Sequence, residues 1–266
     1  KATVLFLILL CCSYSLVFSQ STYSVTITSD SGPGSFRQAL TDANASPDAS
    51  VITFSIEGPG VHTITLSSDF PVITAPVMID GWSQGGPSYA ATPLLEIDGT
   101  VVIGGIGLNI QAPNVTVRGL AIMNFPQFPS NGGNGIGIGI FGASSRNVWI
   151  YGNHIGVDAS GTLDRGNGQI GIWIDALANG NTIGTNSDGV NDTAERNIIS
   201  ANHAPGGWGL LIKSDSNTVA GNYVGSDITG TLRLPNRHSG VLIQNGSANL
   251  IGGPSASTRN LISGNA

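Results

Sequence analysis

Apolar residues recur at every second position in short runs along this chain. Examples are Val115-Thr116-Val117, Ile136-Gly137-Ile138-Gly139-Ile140, Val148-Trp149-Ile150, Ile170-Gly171-Ile172-Trp173-Ile174, Leu210-Leu211-Ile212 and Val241-Leu242-Ile243. A period of two is the strand period. Nearly every run is followed by Asn or a small residue and Asn: Gly152-Asn153, Gly180-Asn181, Ser216-Asn217, Gly221-Asn222, Ala248-Asn249. Earlier strands are predicted at Val25–Ile27, Val51–Ile56, His62–Leu66, Val77–Gly81 and Leu95–Gly99. One short helix is predicted over Phe36–Ala43, with Ser35 as its cap and Phe36, Ala39 and Leu40 on one face.

A longer repeat lies over this pattern. Gly152-Asn153-His154-Ile155-Gly156-Val157-Asp158 through Leu163 matches Gly221-Asn222-Tyr223-Val224-Gly225-Ser226-Asp227 through Leu232, at an offset of 69. Asn181–Gly184 matches Asn249–Gly252 at 68, and Arg196–Asn202 matches Arg259–Asn265 at 63. The shrinking offset places the length change in the turn-rich segment between Thr185 and Glu195. A βαβ sheet needs a crossover of a dozen residues, usually a helix, and the repeats contain none. Hairpins would leave the long repeat unexplained, and so would a β-sandwich with glycine-rich turns. A parallel β-helix accounts for both periods. Alternate apolar residues point into the coil, Asn or Gly takes each tight corner, and Asn side chains stacked coil on coil can bond along the axis. The helix at Phe36–Ala43 is the candidate plug for the open end of the stacked core.

Composition narrows the function classes. Of 266 residues, only 10% are charged, against about a quarter in ordinary globular chains. The formal net charge is −6 and aromatics are 6%, so the basic, aromatic-rich surface of a nucleic-acid binder is not expected. A hydrophobic fraction of 40% is too high for disorder. The apolar run Val4–Leu10 after Lys1, followed by Ser13, Ser15 and Ser19, reads as a secretory signal peptide ending near Gln20. The expected organisation is therefore a signal peptide over 1–20, an N-terminal cap and first coils over 21–110, and a repeat array over 111–266 that stops inside a repeat unit. No stable transmembrane span is expected after signal removal. Both cysteines, Cys11 and Cys12, fall in the signal segment, so no disulfide, thiolate metal site or cysteine nucleophile is expected in the remainder.

Asp30-Ser31-Gly32-Pro33-Gly34-Ser35-Phe36-Arg37-Gln38-Ala39-Leu40 resembles the N-terminal signature of exported bacterial β-helix repeat proteins, among them polymorphic outer-membrane proteins and adhesin-like surface proteins. Ile79-Asp80-Gly81-Trp82-Ser83-Gln84 is similar to the segment that follows in that group, and the Gly-Asn and Arg-Asn units resemble its body repeats. The likeness covers residues 22–266. It implies an all-β fold: a single-stranded right-handed parallel β-helix of the pectin-lyase-like kind with a short N-terminal capping helix. It also implies a secreted or bacterial cell-surface location, with further domains in a longer chain. The superfamily includes lyases, hydrolases, adhesins and passive stalks, so it implies no single activity.

The chemistry-bearing residues divide accordingly. Trp149 and Trp173 each lie between two inward apolar residues and so face outward; Trp208 is expected on a nearby loop. Exposed aromatics on a flat β-surface stack on sugar rings, which makes these three the candidate glycan-binding residues, with a polysaccharide or cell-surface glycan as partner. The alternative is a polysaccharide lyase or glycoside hydrolase on the same scaffold. That reading calls for acids and a base converging in a cleft walled by loops near Gln127–Asn134 or Asn186–Glu195. Asp80, Glu96 and Asp98 are its candidate acids, with Arg118 or Lys213 beside Asp215 as candidate bases. Asp158 and Asp227 recur at one repeat position and read as turn acceptors or as ligands for calcium or a sugar hydroxyl. The four histidines show no metal-ligand spacing, and no metal or cofactor is expected. Arg196 and Arg259 recur; they read as attractors of an anionic glycan or, the expectation adopted, as laying their stems along the coil surface and pairing with a loop carboxylate or carbonyl.

Overall fold

A computed structural model describes residues 20–102, 105–128, 133–203 and 206–266. Apart from Gln20, the expected signal peptide lies outside the described residues. The chain is a parallel β-helix of three sheets. Sheet 1 runs through Ser21–Val25, Ser50–Phe54, Val77–Asp80, Thr116–Arg118, Trp149–Tyr151, Thr182–Gly184, Thr218–Ala220 and Leu250–Ile251. Sheet 2 runs through His62–Thr65, Leu95–Asp98, Ala121–Met123, His154–Ile155, Ile198–Ile199, Tyr223–Val224 and Leu261–Ile262. Sheet 3 contains Ile106–Ile110, Ile136–Ile140, Ile170–Ile174, Trp208–Ile212 and Val241–Ile243. The pairings within these sheets are parallel. A small antiparallel hairpin, Gln127–Phe128 with Gly133–Asn134, projects before sheet 3. Among the described residues no helix is long and apolar enough to cross a membrane.

The period-two residues fill the coil, except that Ile136 and Ile170, at the starts of their strands, turn to the outer face of sheet 3. Ile150, Ile155 and Ile172, one from each sheet in the same coil, are all fully buried in a single continuous core. Asparagine ladders run inside the coil at its corners. Between sheets 1 and 2, Asn153 N–H donates to Asn197 Oδ1 (3.0 Å), Asn197 N–H to Asn222 Oδ1 (3.3 Å) and Asn222 N–H to Asn260 Oδ1 (2.9 Å). Asn167, Asn202, Asn236 and Asn265 form the ladder between sheets 2 and 3. Asn181, Asn217 and Asn249 form the one between sheets 3 and 1. Corner labour is divided within each pair. The preceding residue, as at Gly152, Gly180, Ser216 and Gly221, takes positive φ, and this frees Asn to turn inward. Each side-chain amide supplies backbone partners that a bending strand cannot, so buried N–H and C=O groups stay paired.

The 69-residue repeat is two coils. Trp149–Tyr151 passes to His154–Ile155 by a short corner, and a long connection then leads to Ile170. The next coil reverses this: the connection from Gly184 to Ile198 is long and that from Ile199 to Trp208 is shorter. The following coil returns to the first pattern, so only alternate coils match.

The plug is present. The helix spans Phe36–Ala45, two residues beyond the expected end, and Ser35 Oγ accepts from Gln38 N–H (3.2 Å). Phe36 meets the edges of Phe54 and Phe70 at 5.2 and 4.8 Å between ring centres. Arg37 pins the helix: it pairs with Asp30 (2.6 Å) and donates to the carbonyls of Ser68 and Asp69. The Trp-Ser-Gln turn has a comparable job. Ser83 Oγ accepts from Phe54 N–H (2.7 Å), and Gln84 exchanges two 2.9 Å bonds with the backbone of Ile56, standing in for a strand partner.

Candidate functional site

The three tryptophans do not share one strip. Trp149 is on sheet 1. Val148 and Ile150 point into the core, and the Trp149 ring turns outward over Tyr151 (4.0 Å between ring centres), with its Nε1 donating to the Gly184 carbonyl (2.8 Å). Trp173 is on sheet 3 between the buried Ile172 and Ile174, and it too faces outward. Trp208 is not on a loop; it begins the neighbouring strand of sheet 3 and pairs in register with Ile170.

Sheet 3 therefore carries an apolar outer face. One row is Ile106, Ile136, Ile170 and Trp208; the next is Asn109, Gly139, Trp173, Leu211 and Leu242. Ile136, Ile170 and Leu211 are buried beneath the partly exposed Phe141, Trp173, Trp208 and Leu242. Gly139 makes room for this arrangement, because a Cβ there would lie 2.1 Å from the Phe141 ring. Phe141 stands edge-on to Trp173 (5.4 Å, 82°), and Lys213 Nζ lies 4.9 Å from the Trp173 ring centre. The Trp173 indole N–H is buried without a hydrogen-bond partner. That costs about 1–3 kcal/mol, so stability alone does not account for an indole here.

The repeated aspartates organise their own loops. Asp158 Oδ1 accepts from Thr162 and Leu163 N–H (3.1 and 3.0 Å), and Asp227 Oδ1 accepts from Thr231 and Leu232 N–H at the same distances. Both loops fold over the outer face of sheet 2, where Ile228 N–H bonds the Gly161 carbonyl (3.0 Å). Burial pushes each carboxyl up, but the converging donors outweigh it and hold both below the usual carboxylate value.

A cleft of about 640 Å³ opens beside the first of these loops. The segment 189–196 forms one wall, as expected for the Asn186–Glu195 loop, and Ala90–Thr92 forms the other. Between them the short corner at Gly152 leaves the space open. Gly152 has φ +63°, and a Cβ there would meet the Trp82 ring at 2.4 Å. The other expected wall, Gln127–Asn134, is partly outside the described residues. Among the described residues Asp192 is the one carboxylate lining the cleft. Glu195 is drawn back to Asn186 N–H (3.2 Å), and burial raises its pKa.

The other candidate acids and bases are apart and engaged. Asp80, on sheet 1, forms a two-pronged ion pair with Arg118 (2.7 and 2.8 Å), and Arg118 also donates to the Tyr151 hydroxyl (3.1 Å). Burial works against the Arg118 charge, but these partners raise its pKa, so it stays a cation. Glu96, on sheet 2, accepts from Ala159 N–H and the Thr63 hydroxyl (3.0 and 2.8 Å), while Asp98 accepts from Thr100 N–H (3.0 Å). Asp215 accepts from Ser247 N–H (2.6 Å).

No protein-family model matches the chain, and no curated protein matches it significantly. Among solved structures it is similar to the Dettilon tailspike protein at 14% identity and a TM-score of 0.47. The match covers 86% of this chain and 37% of that one, so the chain spans well under half of the tailspike's length.

Proposed function

We propose that this chain is an extracellular β-helix module that binds glycan across the outer face of sheet 3. The observation that carries this reading is Trp173, turned outward beside Phe141, with Trp208 on the adjoining strand. Aromatic rings on a flat sheet offer the apolar area on which pyranose rings stack. Neighbouring strands are about 4.8 Å apart, so side chains on adjacent coils can follow an extended sugar chain. Lys213 lies over Trp173 on a flexible stem. It swings aside when a ring stacks and offers its ammonium to a sugar oxygen. Asp175 and Gln244, in the coils on either side of Lys213, supply polar groups at the margin. Export rests on the signal-like first twenty residues.

The test is retention on immobilised neutral and acidic polysaccharides, with intrinsic fluorescence as a second readout. Trp173→Ala and Trp208→Ala are expected to weaken binding at least tenfold, and Trp149→Ala, on another sheet, to leave it unchanged. Retention that survives loss of both sheet 3 tryptophans, or no retention on any polysaccharide, overturns the reading. Release of new reducing ends or unsaturated products would replace it with the lyase or hydrolase alternative.

A further inference from the structure

The cleft beside His154 has features that neither the stack nor the sheet 3 face uses. His154 is 4% exposed and lines the cleft. Its Nδ1 lies 3.0 Å from the Asp158 carbonyl, an acceptor, so Nδ1 carries the proton. Burial lowers the ring's pKa to about 4, so the imidazole is neutral at pH 7 and its Nε2 is a bare acceptor. Nε2 has no hydrogen-bond partner among the described residues, and the residue lines the cleft.

Arg196 supplies the second feature. Its Nε donates to the Gly221 carbonyl (3.1 Å), and its guanidinium carbon lies over Tyr223, 3.9 Å from the ring centre. No carboxylate pairs with it among the described residues. Ile198 is in register with His154, which places Arg196 two residues upstream along the same wall. The remaining surface combines small apolar side chains, Ala90, Ala91, Ala194 and Ile228, with the polar Thr92, Asn191, Asp192 and Thr193 on the rest of the walls. Small-ligand sites likewise combine apolar wall area with convergent polar groups and a volume of several hundred Å³.

We propose that this cleft binds a small organic acid with an apolar body, its carboxylate held by Arg196 and a hydroxyl donating to His154 Nε2. An unpaired, stacked guanidinium suits a carboxylate. A neutral imidazole with only Nε2 free accepts an O–H and repels a second acceptor. The alanine and isoleucine side chains give a ring or chain its apolar contact. The site is separate from the sheet 3 face and is tested by different molecules.

Binding of 4-hydroxybenzoate, measured by calorimetry on the full chain, tests this. Benzoate, which lacks the hydroxyl, and 4-hydroxybenzyl alcohol, which lacks the carboxylate, are each expected to bind at least tenfold more weakly. Arg196→Gln should weaken 4-hydroxybenzoate at least tenfold, whereas Arg259→Gln, at the matching repeat position, should not. His154→Phe should bring 4-hydroxybenzoate down to the level of benzoate. Thermal melting checks that each variant is folded; if His154→Phe is not, the benzoate comparison on the unmodified chain reads the same contact. No binding of 4-hydroxybenzoate, equal binding by all three compounds, or tighter binding of glucuronate overturns the proposal.

Discussion

The two copies of the 69-residue unit fold alike and meet different surroundings. In both, an Asn enters the ladder and an Asp gathers the N–H groups of its loop at matching distances. At the next position they part. His154 is sealed under its loop beside an open cleft, whereas Tyr223 lies half-buried under Arg196. The difference comes from outside the repeat: Ala90–Thr92 lines the cleft with His154, and of the second copy only Ile228 reaches it. Positions that repeat serve the stack, and positions that differ are where a surface acquires chemistry of its own.

The largest effect is expected where the two copies are joined. Asn197 is the rung between Asn153 and Asn222. Its Oδ1 accepts from Asn153, and its Nδ2 donates to the Ile150 carbonyl and to Asn222 Oδ1, both at 2.9 Å. Asn197→Ala leaves several buried groups unpaired, each worth about 1–3 kcal/mol, so a loss of roughly 4 kcal/mol or more is expected in denaturant unfolding. Gln111→Ala, which removes an exposed amide bonded to Asn109 at 3.2 Å, should stay within about 0.5 kcal/mol. Comparable losses for the two would mean that the ladders are not what holds the corners.

Acid should separate the copies next. His154 is held neutral, with its pKa lowered to about 4 from 6.5. Between those values the unfolded chain takes up a proton that the folded chain does not, so stability is full above pH 6.5 and falls as pH drops towards 4. The limit is about 3 kcal/mol. His154→Phe should flatten this part of the stability–pH curve even if it is less stable at pH 7. Tyr223→Phe should leave the slope as it was. A slope unchanged in His154→Phe would assign the acid sensitivity to other groups.

Much of this is legible in the chain. Ile172-Trp173-Ile174 announces both a strand and an outward tryptophan, because period two assigns faces locally; it fails at the strand's start, where Ile170 lies on the outer face with Trp208. Ser35 before Phe36 announces the plug. What does not follow is how the coils are phased. The 69-residue match hides two coils of alternating connection length, so Trp149 and Trp173 look like neighbours on one strip when each coil in fact sends them to different sheets. The cleft is harder still: Ala90 and Asn191 are about a hundred positions apart in sequence, and no local pattern joins them. Nor can spacing show that Trp208 is a strand residue when it sits among Pro205, Gly206, Gly207 and Gly209, a composition that reads as a turn.

The smallest effect draws the finest distinction. Asp158→Ala and Asp227→Ala each remove a carboxylate that accepts two backbone N–H groups and a hydroxyl, Ser160 in one loop and Thr229 in the other. Because the loops are alike, each substitution should cost about 1–2 kcal/mol. Both losses should shrink below pH 3.8, since a carboxyl held below its usual value stabilises the fold only while ionised. The cleft should tell them apart. The Asp158 carbonyl fixes the His154 ring and its tautomer, so loosening that loop frees the ring, and Asp158→Ala should weaken 4-hydroxybenzoate binding several-fold. The Asp227 loop touches the cleft only through Ile228, and Asp227→Ala should leave binding nearly unchanged. Equal weakening by both would show that the loops act on the cleft together, through the bond between Ile228 and Gly161, and that the first copy has no separate hold on its histidine.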